Sequence, residues 1–445
     1  MPGEAAAGLL HDHAAFPAAV DKEQRTLTLR GAAVHLFKGN VGPGVLALPL
    51  NFQRVGPLAG LVITAVVALQ GIFSMVLLLR VQRGAAAAAA AVVAAGHRDG
   101  EALSFEEVGF IILGSAGRVM VQTTLAVLQL GVCAVFISFC TTALRALLPL
   151  GRTTAVFLVW GACSLLALLP TLRSLVPLSI FGSICMLLAV GTALAAAVAD
   201  LMDDARSVNP PPQPDDASVL TDWGSAFAAT FYAFEGIGLV LPIENQLAPN
   251  GELLGRDCGG WGFAHVLCGT LNVVALLFAA VGCLCSAAFP RIDSASVTAF
   301  LASRGPFFEF VNALVASAVL LTFPLQLTPA SQVIEGALGL RGAGSRRFCR
   351  LLLVAGCALL VLILPSLDLL IDVMGSCANT VLAGLPCLFH ATLTLRSKAP
   401  ADASARRRRA GVLALDVSVM MLCAAVMGFG LRSAMLSAGS NSTAT

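Results

Sequence analysis

Five stretches of this chain carry no charged side chain at all: Val55–Leu79, Val119–Leu144, Leu175–Ala199, Val266–Pro290 and Phe310–Ile334. Each exceeds the roughly 20 apolar residues that an α-helix needs to cross a bilayer. Only 12% of the 445 residues are charged, about half the ~25% of an ordinary soluble domain. A water-facing surface cannot be assembled from so few charges. The sequence therefore predicts an all-α polytopic membrane protein.

The remaining composition closes off other classes. A net charge of +2 without a long basic face argues against a nucleic-acid binder. A hydrophobic content of 58% excludes disorder except locally. Most of the 13 cysteines, among them Cys133, Cys140, Cys163, Cys185 and Cys268, lie inside apolar runs. Neither a CxxC pair nor Cys/His ligand spacing appears, so they read as small core residues. No Ser/His/Asp set, HExxH or phosphate loop is present, and the chain reads as no enzyme. The first thirty residues mix His11, Asp12, His13, Asp21, Lys22 and Glu23 with no sustained apolar stretch, unlike a signal peptide.

Eleven spans are expected, near 34–54, 56–79, 118–144, 153–171, 174–199, 223–247, 262–288, 307–335, 348–366, 369–395 and 411–431. Asp416 makes the last of them the weakest. Between spans 2 and 3 lie seven alanines, Ala85–Ala91, read as low-complexity filler; Ser104-Phe-Glu-Glu107 then opens a short interfacial helix. The Pro- and Asp-rich segment 200–222 reads as a solvated linker. The expected organisation is a tail (1–33), two groups of five spans (34–199 and 223–395) joined by that linker, a basic loop (396–410), an eleventh helix (411–431) and a second tail (432–445). Nineteen Lys and Arg fall on one side and seven on the other. That asymmetry predicts a cytosolic N-terminus and an outside C-terminus, with Arg406–Arg409 anchoring the inner end of span 11. Asn441-Ser-Thr443 is a formal glycosylation sequon.

Two spans are visibly broken. Span 1 reads Phe37-Lys-Gly-Asn-Val-Gly-Pro-Gly-Val-Leu-Ala-Leu-Pro49, and span 6 reads Phe231-Tyr-Ala-Phe-Glu-Gly-Ile-Gly-Leu-Val-Leu-Pro242. Glycine and proline at this density cannot sustain a continuous helix. Unwound backbone at membrane depth survives only against protein or a wet cavity. Each break opens one five-span group, and both run G-x-G into a Leu/Pro tail. Interrupted helices at matching positions of two halves are the pattern of an inverted-repeat secondary transporter.

The chemistry of such a site follows from its backbone. The N–H groups at Gly42, Gly44 and Val45, with Gly39 and Asn40 beside them, suit a carboxylate. Carbonyls around Ala233 and Phe234, flanked by Gly236 and Gly238, suit an ammonium group, so the pair fits an amino acid. Glu235 is the central ionisable residue. A carboxylate in mid-span costs at least ~2.5 kcal/mol, so it must be protonated, paired or wet, as a proton carrier or gate would be. His35, on the same face of the membrane as the start of span 1, is a second coupling candidate, and Lys38 a structural one. Span 8 reads as proline-interrupted at Thr322-Phe-Pro-Leu-Gln-Leu-Thr-Pro329, with Thr322 and Gln326 as possible ion or gate residues. Asp368 and Asp372 read as charge compensation at the start of span 10.

At these residues the chain resembles the amino acid/auxin permease family, most closely its proton-coupled and vacuolar amino acid transporters. The resemblance rests on His35 through Pro49, Gln129-Leu-Gly-Val-Cys133, Leu172-Arg-Ser-Leu175, Phe234 through Asn245, Phe323-Pro-Leu-Gln-Leu327 and Leu367-Asp-Leu369. It covers about Val34 to Leu395. It implies a leucine-transporter-type fold of two inverted five-helix repeats plus an eleventh helix. It also implies transport of small neutral amino acids by alternating access, usually with protons, at Gly39–Gly44 and Phe234–Gly238. Pro43 departs from several relatives, which have an N–H or hydroxyl there.

The expected partners are an amino acid substrate and the lipid bilayer, with no nucleic acid and no obligatory protein. No cofactor is expected, a proton gradient being the driving force. A vacuolar or lysosomal membrane is favoured over the plasma membrane. The alternatives are an amino acid sensor using the same pocket, a sodium-coupled carrier or an uncoupled exchanger; isolated hydroxyls in span 8 disfavour sodium.

Overall fold

Thr28 starts the first helix by accepting the Gly31 N–H on its hydroxyl, and α1 (Leu29–Asn40) follows. The Gly/Pro run then stops it, as its propensities require. Gly42 is extended, a 3₁₀ turn covers Pro43–Ala47, and α2 (Leu48–Val55) resumes the same span. Gly56, at φ +87°, reverses the chain within one residue into α3 (Pro57–Val92). In this computed structural model the described residues are 27–92, 103–168, 176–203, 219–247, 261–364, 366–397 and 400–442. His11, His13, most of the N-terminal tail and the Pro-rich core of the linker lie outside them.

Helix α3 outruns the expected end of span 2. Alanine is the strongest helix former, so Ala85–Ala91 extend the span as helix to Val92 rather than interrupting it. After it comes α4 (Phe105–Leu113), opened by a reciprocal capping box. The Glu107 N–H donates to Ser104 Oγ at 3.3 Å, and the Ser104 N–H to Glu107 Oε2 at 2.6 Å. The first half of the chain is completed by α5 (Ser115–Leu147), α6 (Arg152–Ala167) and α7 (Val176–Met202).

The second half opens with α8 (Val219–Ala233), so the linker is shorter than 200–222 at both ends. A 3₁₀ turn, Ile237–Leu239, and α9 (Val240–Asn245) complete that span. Then follow α10 (Trp261–Ala288), α11 (Val297–Ala302), α12 (Pro306–Ala337) and α13 (Ala343–Ile363). Span 10 is α14 (Leu367–Met374), a π-turn at Gly375–Asn379, and α15 (Thr380–Arg396). The chain ends in α16 (Ala403–Ser442).

Eight helices among the described residues are long and apolar enough to cross a membrane. The other three expected spans fall on the broken α1/α2 pair, the shorter α6, and α13 with its basic start. Among the described residues the one β-type pairing is an isolated bridge, Leu27 to Leu247.

Two expectations are corrected here. Span 8 is not interrupted: α12 runs for 32 residues straight through Pro324 and Pro329. The Thr328 hydroxyl donates to the Pro324 carbonyl at 2.7 Å, and Thr322 Oγ1 donates to the Ala318 and Val319 carbonyls at 3.1 and 3.0 Å. These are back-bonds of the hydroxyls to the preceding turn, whereas the carbonyls that the prolines deprive of a helical donor are those of Leu320 and Leu325. Span 11 is not weak either, for α16 has 40 residues. Asp416 is fully buried and its Oδ2 lies 2.8 Å from His390 Nδ1 on α15.

Packing joins the two halves. Helix α12 lies against α5 and α7, α10 against α3 and α7, and α16 against α8 and α15. On the face where α1 begins, the Leu27 N–H donates to the Gln246 carbonyl at 3.1 Å, and Arg83 meets Glu244 at 3.3 Å. On the face where α2 ends, Gln53 Nε2 reaches the carbonyls of Ser286, Phe289 and Pro290 at 3.0–3.2 Å. Its Oε1 accepts the Ile292 N–H at 2.9 Å, fixing α2 to the end of α10.

Candidate functional site: two interrupted helices in contact

The breaks in spans 1 and 6 touch each other. A β-carbon on Gly44 would stand 2.8 Å from the Ala233 Cα and 3.2 Å from Tyr232 Cδ1. The Asn40 amide lies across the Cα of Gly236, and the Leu239 side chain across Gly39. Only glycine permits backbones to approach this closely. Gly44 of the first G-x-G and Gly236 of the second therefore hold one junction together, whereas Gly238 faces Leu125 of α5.

The backbone at the junction is locally irregular. Val41 ends α1 by donating its N–H to the Phe37 carbonyl at 2.9 Å, and Gly42 leads into the 3₁₀ turn whose Val45 N–H reaches the Gly42 carbonyl at 3.3 Å. Pro43 has no N–H, so Gly44 provides the first amide of that turn. On span 6, the Phe234 N–H closes the last α-helical bond, to Thr230 at 3.1 Å. The Phe234 carbonyl, expected to face an amine, already accepts the Gly236 N–H at 2.9 Å. The carbonyls of Tyr232 and Ala233 terminate α8, as a helix end requires.

Side chains complete the picture. Asn40 is 2% exposed, its Nδ2 donates to the Leu36 carbonyl at 2.8 Å, and its buried Oδ1 has no partner among the described residues. Glu235 is half-buried in the middle of the break, between Ala233 and Ile237. The Phe234 ring meets Phe278 of α10 edge-on, centroids 4.8 Å apart. Tyr232, the one tyrosine of the chain, is buried beside the junction.

Of the residues singled out from the sequence, Gly39, Asn40, Gly44, Ala233, Phe234 and Gly236 converge here, with Gly42, Val45, Glu235 and Gly238 on the same segments. The others stand apart. His35 is exposed on α1, and Lys38 is half-buried in its last turn. Thr322 faces Gly182 of α7, and Gln326 is half-buried one turn further along α12. Among the described residues no cluster of three or more His, Cys, Asp or Glu forms a metal site.

A second polar centre was not expected. Arg54, on α2, donates through Nη2 to Asp368 Oδ2 at 3.0 Å and through Nη1 to Ser225 Oγ at 3.1 Å. Ser225 in turn donates to Asp372 Oδ2 at 2.6 Å. Asp372 is 4% exposed, so its role is not compensation of a helix end. It belongs to a network tying spans 1, 6 and 10 on the side of the junction away from α1. The sequence signal was the four-residue spacing of the aspartates, which puts both on one helix face.

A multi-pass helical membrane protein with two mutually packed, unwound helices has the architecture of a transporter rather than an enzyme. The chain belongs to the family described as transmembrane amino acid transporter protein, which it matches over residues 25–431. Amino acid transporter AVT3A of Arabidopsis thaliana is 29% identical over 364 residues, covering 80% of this chain and 79% of its own. Vacuolar amino acid transporter 3 of Schizosaccharomyces pombe is 28% identical over 378 residues, 81% of this chain and 52% of its own. Among solved structures, a manganese transporter of Eremococcus coleocola aligns at 15% identity with a TM-score of 0.46, covering 94% of this chain and 97% of that one. The protein is thus an amino acid transporter of the membrane.

Proposed function

We propose that the chain carries small neutral amino acids together with protons, by alternating access, at the junction of spans 1 and 6. The observation behind this reading is the contact of Gly44 with Ala233 and of Asn40 with Gly236, beside the half-buried carboxyl of Glu235. The Gly44 amide, the first N–H of the turn, receives the substrate carboxylate, and the carbonyls of Tyr232 and Ala233 receive its ammonium group. The apolar surroundings, with Phe234 and Phe278 in edge contact, favour small uncharged side chains such as those of alanine, glycine and proline.

Glu235 takes up the proton. Protonation removes a charge from the junction, and a coupling ion works by unequal affinity for the two access states. The two five-span groups, 34–199 and 223–395, act as inverted repeats around the site. The N-terminus faces the cytosol, as the Lys/Arg asymmetry indicates. The name of the Schizosaccharomyces pombe relative, a vacuolar amino acid transporter, supports a vacuolar or lysosomal membrane.

The test is uptake of labelled alanine, glycine and proline into proteoliposomes, with and without an acid-outside gradient, for wild type and Glu235→Gln. The expected result is gradient-driven accumulation that the variant loses while retaining exchange. Wild-type uptake indifferent to pH at fixed sodium overturns proton coupling. A folded protein that moves no amino acid overturns carriage and leaves a sensing role.

A further inference from the structure

Helix α8 stops at Ala233, yet the first carbonyl whose helical donor is lost lies two residues earlier. In a continuing helix the Phe231 carbonyl would accept the Glu235 N–H. In this protein it accepts the side-chain amide of Asn379 instead. Asn379 is 3% exposed and is the last residue of the π-turn in span 10.

The π-turn is seated for this contact. Gly375, its first residue, lies directly on the Ala228 carbonyl of α8, where no β-carbon fits; a β-carbon there would also stand 3.2 Å from the Tyr232 Cβ. Gly430 of α16 closes on Ser376 and on Ala228 as well. The widened turn frees carbonyls, and the Thr380 hydroxyl serves those of Ser376 and Cys377. Asn379 has thereby been rotated by one residue relative to an unbroken helix, onto the end of α8. Such one-turn bulges cluster at functional positions.

We infer that Asn379 is a positioning residue that holds span 6 open: its amide occupies the Phe231 carbonyl in place of the Glu235 N–H, so that α8 cannot wind through Phe234–Gly238. A side chain without a donor at this position frees the carbonyl, and a buried carbonyl without a partner draws the nearest donor. That donor is the Glu235 amide. Span 6 then gains a turn of helix, and the Ala233 and Phe234 backbone turns away from Gly44. The inference for transport rests on the reading of the junction as the amino acid site; the inference about the backbone does not.

Two readouts separate them. Hydrogen exchange is followed on a peptide covering Phe231–Val240, in full-length protein, for wild type, Asn379→Leu and Asn379→Asp. The expected result is slower exchange of the Glu235 amide in Asn379→Leu by up to about tenfold, the size of one net backbone hydrogen bond. Unchanged or faster exchange there, with unaltered melting, overturns the inference. If Asn379→Leu does not fold, Asn379→Asp decides it. Its carboxyl donates only when protonated, so exchange and alanine KM must return toward wild type as pH falls. A variant profile parallel to wild type across pH overturns the inference. Slower exchange with an unchanged alanine KM supports the positioning role and overturns the junction as the alanine site.

Discussion

Gly44 and Ala233 meet backbone to backbone: a β-carbon on Gly44 would stand 2.8 Å from the Ala233 Cα and 3.2 Å from its Cβ. Gly42, two residues earlier, has nothing within 4 Å of its β-carbon position and an extended backbone that any residue adopts. The two glycines of one motif thus differ in kind. Gly44→Ala should overpack the junction, costing about 1–3 kcal/mol, with a lowered Tm and reduced uptake. Gly42→Ala should keep the wild-type Tm. Thermal melting of both variants in detergent checks this, and equal Tm losses would sink it.

Arg54 serves two acceptors at once, Asp368 directly and Asp372 through Ser225. Lysine has one point charge where arginine has a planar fork, so Arg54→Lys should slow uptake nearly as much as Arg54→Ala. Because the groups share one network, Arg54→Ala and Asp368→Asn should couple by about 0.5–3 kcal/mol. A double-mutant cycle on stability measures this; strict additivity would show that the pair acts independently.

His390 is the one described partner of a carboxyl with no exposure, and the Oδ1 of Asp416 has no hydrogen bond. Removing one member of a buried pair is worse than removing both. His390→Leu should therefore destabilise by about 3–5 kcal/mol, whereas His390→Leu with Asp416→Leu should recover most of the loss. Unfolding in denaturant gives both numbers. A double variant less stable than the single would contradict the prediction.

Asp402 opens α16. Its carboxylate accepts from the Ser404 hydroxyl, the Ser404 and Ala405 N–H groups and that of Ala403, which hold it below the usual carboxylate range. A depressed folded-state value means that the cap contributes above the unfolded value and is lost as pH falls through the folded one. Exchange at residues 403–406 should therefore accelerate on acidification below the usual range, relative to the expected intrinsic rate. Asp402→Ala should show the fast rate at every pH.

The sequence disclosed the parts of this fold that glycine and proline write into it. Gly42-Pro-Gly44 and Gly236-Ile-Gly238 marked both interruptions, because those residues alter the backbone wherever they sit. Pro324 and Pro329 misled because each removes one helical donor locally, while α12, packed against α5 and α7, runs on as helix through both. The π-turn had no such marker: Gly375-Ser-Cys-Ala-Asn379 reads as ordinary helix. Asp372 and Asp416 were misjudged because their partners, Ser225 and His390, come from other helices whose rotation no periodicity reveals. Alanine at 85–91 continues a helix because its propensity is high whatever the origin of the run.

Glu235 is the one ionisable side chain within residues 39–47 and 233–239. A zwitterion brings no net charge to that junction, so a cycle that carries one proton with it moves one positive charge across the bilayer. Such a cycle is electrogenic. Each 100 mV of membrane voltage then contributes about 2.3 kcal/mol, equivalent at ~1.4 kcal/mol per decade to roughly a fifty-fold difference in amino acid concentration. Under the proposed one-proton cycle, a single carboxyl in an otherwise neutral junction makes the electrical potential as much a fuel as the pH difference.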